Sequence, residues 1–121
     1  MVITTLTLAL VAQGTTGDTR LMRDPDIYGD KVVFTYASDL WLYEIGGGPA
    51  RRLTTHPGLE SNARFSPDGS QIAFSASYDG RTNVYVMPSE GGEPKRLTFE
   101  PYGDNVTGWT PDGKITFTST S

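Results

Sequence analysis

Few side chains in this 121-residue chain could make or break a covalent bond. Ser66 and Asp68 stand two residues apart in "FSPDGS", and a serine beside a carboxylate invites comparison with a hydrolase nucleophile. Such a nucleophile needs a base to take its proton and a third group to orient that base. The one imidazole, His56, lies in the "THPGLE" stretch and reads as a loop residue, and no G-x-S-x-G elbow occurs. The lack of cysteine excludes thiolate nucleophiles, zinc thiolates and disulfides together. Asp79 and Asp104 sit in loops without the spaced oxygen ligands of a calcium site, and a single histidine argues against an all-histidine metal site. "NVT" at Asn105 fits a glycosylation sequon, but so short a motif near the start of a strand reads as a chance match. The sequence therefore offers no catalytic residue, no cofactor motif and no metal site.

The neighbours of Ser66 explain it better. Displacing the sequence by 44 residues lays Asp39 to Gly69 on Asn83 to Gly113 without a gap. Gly47-Gly48 meet Gly91-Gly92, Arg52-Leu53-Thr54 meet Arg96-Leu97-Thr98, and Pro57 meets Pro101. Pro67-Asp68-Gly69 meet Pro111-Asp112-Gly113, while Ser66 falls on Thr110. The serine is thus replaceable and Pro-Asp-Gly is retained, which is the chemistry of a turn: proline presets φ, aspartate accepts local N–H groups and glycine takes a positive φ.

A period in the low forties filled by short strands is the signature of a four-stranded propeller blade. Turn residues place the strands of one period at Ser61 to Ser66, Gln71 to Ser77, Asn83 to Met87 and Lys95 to Phe99, with Asp79-Gly80 closing the second hairpin. The preceding period runs through "LMRDPDI", Lys31 to Tyr36, Asp39 to Ile45 and Arg51 to Thr55, and a further one starts with "NVTGW" and "KITFTST". Apolar residues at consecutive positions in "VVF", "QIAF", "LWLY" and "VYVM" point to both faces of each sheet, so both faces must be covered. Paired cations in "RRLTT" and "KRLTF" suit an outer edge strand. The expected fold is all-β, a partial β-propeller of four-stranded antiparallel blades, about two complete and a third begun. Such a piece cannot close a ring, so the chain reads as the N-terminal part of a longer polypeptide, with self-association into a ring as the alternative.

Fourteen acidic against ten basic residues give a formal charge of −4, without the basic stripe that nucleic acid requires. At the N-terminus, "MVITTLTLALVAQG" carries an apolar run from about Leu6 to Ala12 and small residues, Ala12 and Gly14, placed as at an export cleavage site. Residues 1–18 read as a signal peptide or a disordered leader, too short in its apolar run for a membrane span. The corresponding location is exported or periplasmic, with the cytoplasm as the alternative. Residues 19–121 then hold blade 1 at about 20–56, blade 2 at about 60–100 and the start of blade 3 at about 104–121.

The order of these motifs resembles the N-terminal propeller of tricorn-type proteases from about Leu21 to Ser121. "SPDG…IAF" and "GGEP.RLT" are shared with TolB-like propellers and with prolyl-oligopeptidase-type enzymes. More specific is the succession of Ser38-Asp39-Leu40-Trp41, "RRLTTHPG", "YDGRTNVYVMPSEGGEPKRLT" and "GWTPDGK". Members of the family are large serine peptidases with two propellers ahead of a PDZ-like module and a catalytic domain. The resemblance implies a non-catalytic scaffold that gates the passage of peptides, with the remaining blades and catalytic domain as partners and an oligomeric parent. No catalytic residue of the family has a matching position here. A TolB-like protein-binding module, or the propeller of a prolyl-oligopeptidase-type enzyme, is the alternative.

Overall fold

Runs of Val, Ile, Thr, Tyr and Phe, cut by Gly, Pro and Asp, fold as strands without a helix across residues 22–120, the part that the computed structural model describes. The leader expectation lies outside these residues. The first sheet contains β1 (Met22–Tyr28), β2 (Lys31–Tyr36), β3 (Asp39–Glu44) and β4 (Arg51–Arg52), paired antiparallel in that order. The second repeats it with β5 (Glu60–Phe65), β6 (Gln71–Ala76), β7 (Asn83–Pro88) and β8 (Lys95–Arg96). In the third sheet, β9 (Gly103–Trp109) pairs with β10 (Ile115–Thr120).

Two strands are shorter than their sequence predicts. β4 and β8 each hold two residues of ladder, where Arg51 to Thr55 and Lys95 to Phe99 were expected. The cause is a side chain that takes over the backbone's task. After the Leu53 N–H bonds the Leu40 carbonyl at 2.7 Å, the Thr54 hydroxyl accepts the Leu40 N–H at 3.0 Å, and Leu97 and Thr98 do the same to Val84. The ladder gives way to a hydroxyl clamp in both blades.

The sheets stack face to face. Between the first and second, Val33, Leu40 and Leu42 meet Ala63, Phe65, Ile72, Phe74, Ala76, Tyr85 and Met87 in one buried cluster. Ala73 and Val84 on the opposite face of the second sheet meet Val106, with Trp109 and Ile115 packed beside them. Every residue from Ile72 to Ala76 is buried, which is the two-faced burial that the unbroken apolar runs required. Strands β1, β5 and β9 lie against one another in succession, so the blades converge on their first strands. Each of these strands is bulged in the same region, with Asp24 at φ 51° and Asn62 at φ 56° in the first two. Bulges sharpen twist where strands crowd an axis.

The Pro-Asp-Gly turns close the β5–β6 and β9–β10 hairpins, with Gly69 at φ 75° and Gly113 at φ 91°. Their surroundings differ. A Cβ on Gly69 would fall 2.2 Å from the Tyr28 ring of the neighbouring blade, whereas nothing lies within 4 Å of one on Gly113. Gly113→Ala is expected to cost only the backbone strain, about 1–2 kcal/mol in urea unfolding. Gly69→Ala should cost clearly more, and Tyr28→Ala in the same chain should cancel the excess; equal losses at the two glycines would refute the Tyr28 contact.

Candidate functional site

Polar side chains concentrate in two places, the hairpin turns and the seams between blades. At the first turn, Asp68 Oδ1 accepts from the Ser70 N–H at 3.0 Å and from the Ser66 and Ser70 hydroxyls at 2.8 Å each. These donors, the Ser70 N–H first, hold the Asp68 carboxyl down at about 2. Ser66 Oγ in turn accepts the Gln71 N–H at 3.0 Å, so its hydroxyl both donates and accepts within the turn. The second turn keeps the hydroxyl, with Thr110 donating to Asp112 and accepting the Lys114 N–H at 3.0 Å. It is one residue shorter: the backbone pair Ser66 with Gln71 becomes Thr110 with Lys114, and no counterpart of Ser70 remains to donate to Asp112. What the repeat preserves is therefore a hydroxyl as well as Pro-Asp-Gly. The turns face each other across an open groove of about 290 Å³ lined by Asp68, Gln71, Trp109 and Asp112 among others.

His56 is held apart from this groove. Its ring packs 4.6 Å from that of Tyr78, and its Nε2 lies 4.0 Å from Glu93. Asp79 and Gly80 close the β6–β7 hairpin, Gly80 at φ 93°, and Asp79 accepts from Arg96 at 2.8 Å. Among the described residues no group of three or more His, Asp or Glu side chains is placed to share a metal ion. Asn105 lies within β9, paired with Thr118.

The seam between the first two blades was not foreseen. Glu60, the first residue of β5, has no exposed surface. It accepts the Leu40 N–H at 3.1 Å, the Thr54 hydroxyl and the Tyr78 hydroxyl. Beside it Asp39, also buried, accepts from Arg52 Nε at 2.9 Å and from Nη2 of the same guanidinium. Burial raises the Glu60 carboxyl above its ordinary 4.5, against the pull of the Thr54 and Tyr78 hydroxyls, and burial followed by the Glu60 bond raises the Tyr78 phenol. The readable signal was the pairing of Glu60 with Asp104 and of Asp39 with Asn83 at the repeat offset, acidic or amide groups bordering apolar strands. A second clasp is exposed: Lys31 bonds Glu90 at 2.9 Å and Arg51 bonds the Glu90 carbonyl at 3.0 Å, so the cations of the first blade grip the β7–β8 hairpin of the second.

The two carboxylates give opposite pH dependences. Asp68, depressed, contributes stability that is present above its ordinary 3.8 and lost as pH falls towards about 2. Glu60, raised, favours folding most when protonated, so stability declines as pH climbs from 4.5 through its folded value. Urea unfolding from pH 4.5 upward should show this decline in the native chain and lose it in Glu60→Gln, which keeps the Asp68 loss at low pH; an unchanged slope above 4.5 would refute the assignment. Glu60→Ala, which removes the acceptor of the Thr54 and Tyr78 hydroxyls and leaves the Leu40 N–H to Thr54 alone, should cost roughly 3 kcal/mol.

This architecture has known counterparts. A family model for the tricorn protease N-terminal β-propeller domain matches residues 19–121. Tricorn protease homolog 1 of Streptomyces coelicolor is 39% identical over 100 residues, 82% of this chain and 9% of the relative. A crystal structure of the tricorn protease superimposes with a TM-score of 0.68 at 33% identity over 78% of this chain and 10% of that one. TolB from Acinetobacter baumannii superimposes with a TM-score of 0.68 at 25% identity, covering 78% of this chain and 25% of its own. The chain thus spans about a tenth of the length of the tricorn relatives it matches. The match over residues 19–121, with a relative 39% identical over 82% of the chain, places the chain in the tricorn protease N-terminal β-propeller family.

Proposed function

We propose that this chain forms the opening blades of the first propeller of a tricorn-like serine peptidase, and that its own part is to scaffold and gate the passage of peptides without supplying catalytic groups. The observation that carries the reading is the match to the family's propeller over residues 19–121 at a tenth of the relatives' length. The third sheet supports it. Among the described residues β10 is paired along one edge, and Phe117 on it is 44% exposed, as suits a strand that takes a further neighbour. On this reading the remaining blades, a peptidase domain and further copies of the parent are the partners, and peptides reach the active site through them. The likeness to TolB favours a second reading, a protein-binding propeller of about six blades with no peptidase.

The parent protein should hydrolyse peptides and react with a serine-directed phosphonate at a residue outside 1–121. Labelling within 1–121, or a parent that ends after its propeller, would overturn the gate reading, and the latter would establish the binding module. We also infer export through the apolar leader. N-terminal sequencing of the mature parent should begin at Thr15; recovery of an intact Met1 terminus from the cytoplasm would refute it.

A further inference from the structure

The seam between the second and third blades repeats the first with one exchange that changes its chemistry. Asp104 stands where Glu60 stood and is fully buried, yet among the described residues neither of its carboxylate oxygens has a hydrogen-bond partner. A buried carboxylate without a donor is among the costliest groups a fold can hold. Its surroundings are otherwise copied. The Asp104 N–H bonds the Thr82 carbonyl at 2.9 Å as that of Glu60 bonds Ser38 at 3.1 Å, and Thr98 accepts the Val84 N–H at 2.9 Å. Being one methylene shorter than Glu60, Asp104 does not engage Thr98 or Val84. Arg96 is committed to Asn83 at 2.9 Å and to Asp79 at 2.8 Å.

The donor that differs is the aromatic one. Beyond the shortened second turn the repeat offset falls to 43, as the strand register shows: Ala76 faces Glu60 and Ser119 faces Asp104. Ser77 exchanges hydrogen bonds with Leu59, and Thr120 does so with Gly103. At the same offset Tyr78 falls on Ser121 in the sequence, a residue type without a ring. A ring has instead entered the crossover. Gly58, over which Tyr78 lies so closely that a Cβ there would be 3.1 Å from its Cδ1, corresponds to Tyr102. Along the sequence the ring has thus moved from the Tyr78 position of one repeat to the Gly58 position of the next. In the first seam the ring is walled by Tyr85 of β7 at 4.8 Å. The third blade's equivalent of β7 is not among the described strands, and Tyr102 is 43% exposed.

We propose that Tyr102 is the hydroxyl donor of the second seam: its ring closes on Asp104 when the third blade's next strand packs against it, a latch that couples completion of that blade to the blade before. The proposal rests on the reading that the polypeptide continues through its propeller. The test is a double-mutant cycle in the full-length parent, read by hydrogen exchange of the β9 amides. Tyr102→Phe should lower their protection about tenfold or more, the scale of a bond to a charged acceptor. It should lower it far less in an Asp104→Ala background, and Asp104→Asn, which still accepts, should retain most of the native effect. Additive losses, or an unchanged protection in Tyr102→Phe, would overturn the latch. A parent whose third blade is never completed would instead sink the propeller reading, so the two failures are distinguishable.

Discussion

The first two sheets of this chain each carry apolar side chains on both faces, and that constraint organises everything else. Val33 and Phe34, neighbours along β2, face opposite ways and are both buried, as are Ala73 and Phe74 on β6. Burial of a large apolar side chain is worth about 1.5–3 kcal/mol, so the cluster joining the first two blades outweighs any ion pair between them. The exposed Lys31–Glu90 clasp, screened by solvent, orients blades that apolar contact has already joined. Stability resides in the contacts between neighbours, as in other repeat architectures.

Apolar faces attract without fixing register, and the seam residues supply what those faces lack. Glu60 binds groups from three segments, Leu40 on β3, Thr54 after β4 and Tyr78 after β6, and a one-residue slip of either sheet would leave a buried carboxylate among apolar groups. Specificity is set by the penalty for misplacement more than by the strength of the bonds. Asp39 beside it adds a second negative charge, which raises Glu60 further and makes the Arg52 guanidinium necessary. In the next seam the amide of Asn83 replaces that carboxylate, so the charge is thinned while the Arg96 contact is kept.

The sequence revealed the periodicity, the strand order and the turns because these depend on local chemistry repeated at a fixed interval. Lys31 to Tyr36 was placed to the residue by its Val-Val-Phe run and the flanking Gly-Asp and Ala-Ser pairs. The outer strands were read too long because Thr54 and Thr98 look like ordinary strand residues until their hydroxyls are seen to replace the ladder. The seam was hidden for a related reason: a glutamate at the head of a strand has the composition of a loop. Its partners Leu40, Thr54 and Tyr78 are separated along the chain and meet only through blade stacking. Ser66, by contrast, drew attention as chemistry, and its hydroxyl is engaged within the turn, donating to Asp68 and accepting the Gln71 N–H.

The two Pro-Asp-Gly turns show how such a repeat tolerates change. The second lacks one residue, and in a strand an uncompensated deletion would turn every later side chain to the wrong face. Here Lys114 takes the backbone role of Gln71, and the loss is absorbed before β10 begins. Phe117 then occupies the place of Phe74, and Thr120 performs for Gly103 the task that Ser77 performs for Leu59. Only the side-chain cage around the aspartate is diminished, since Ser70 has no successor. The turn can vary because its hydroxyl, not its length, carries the closing hydrogen bond, and the seam can vary because its ring can be supplied from either side.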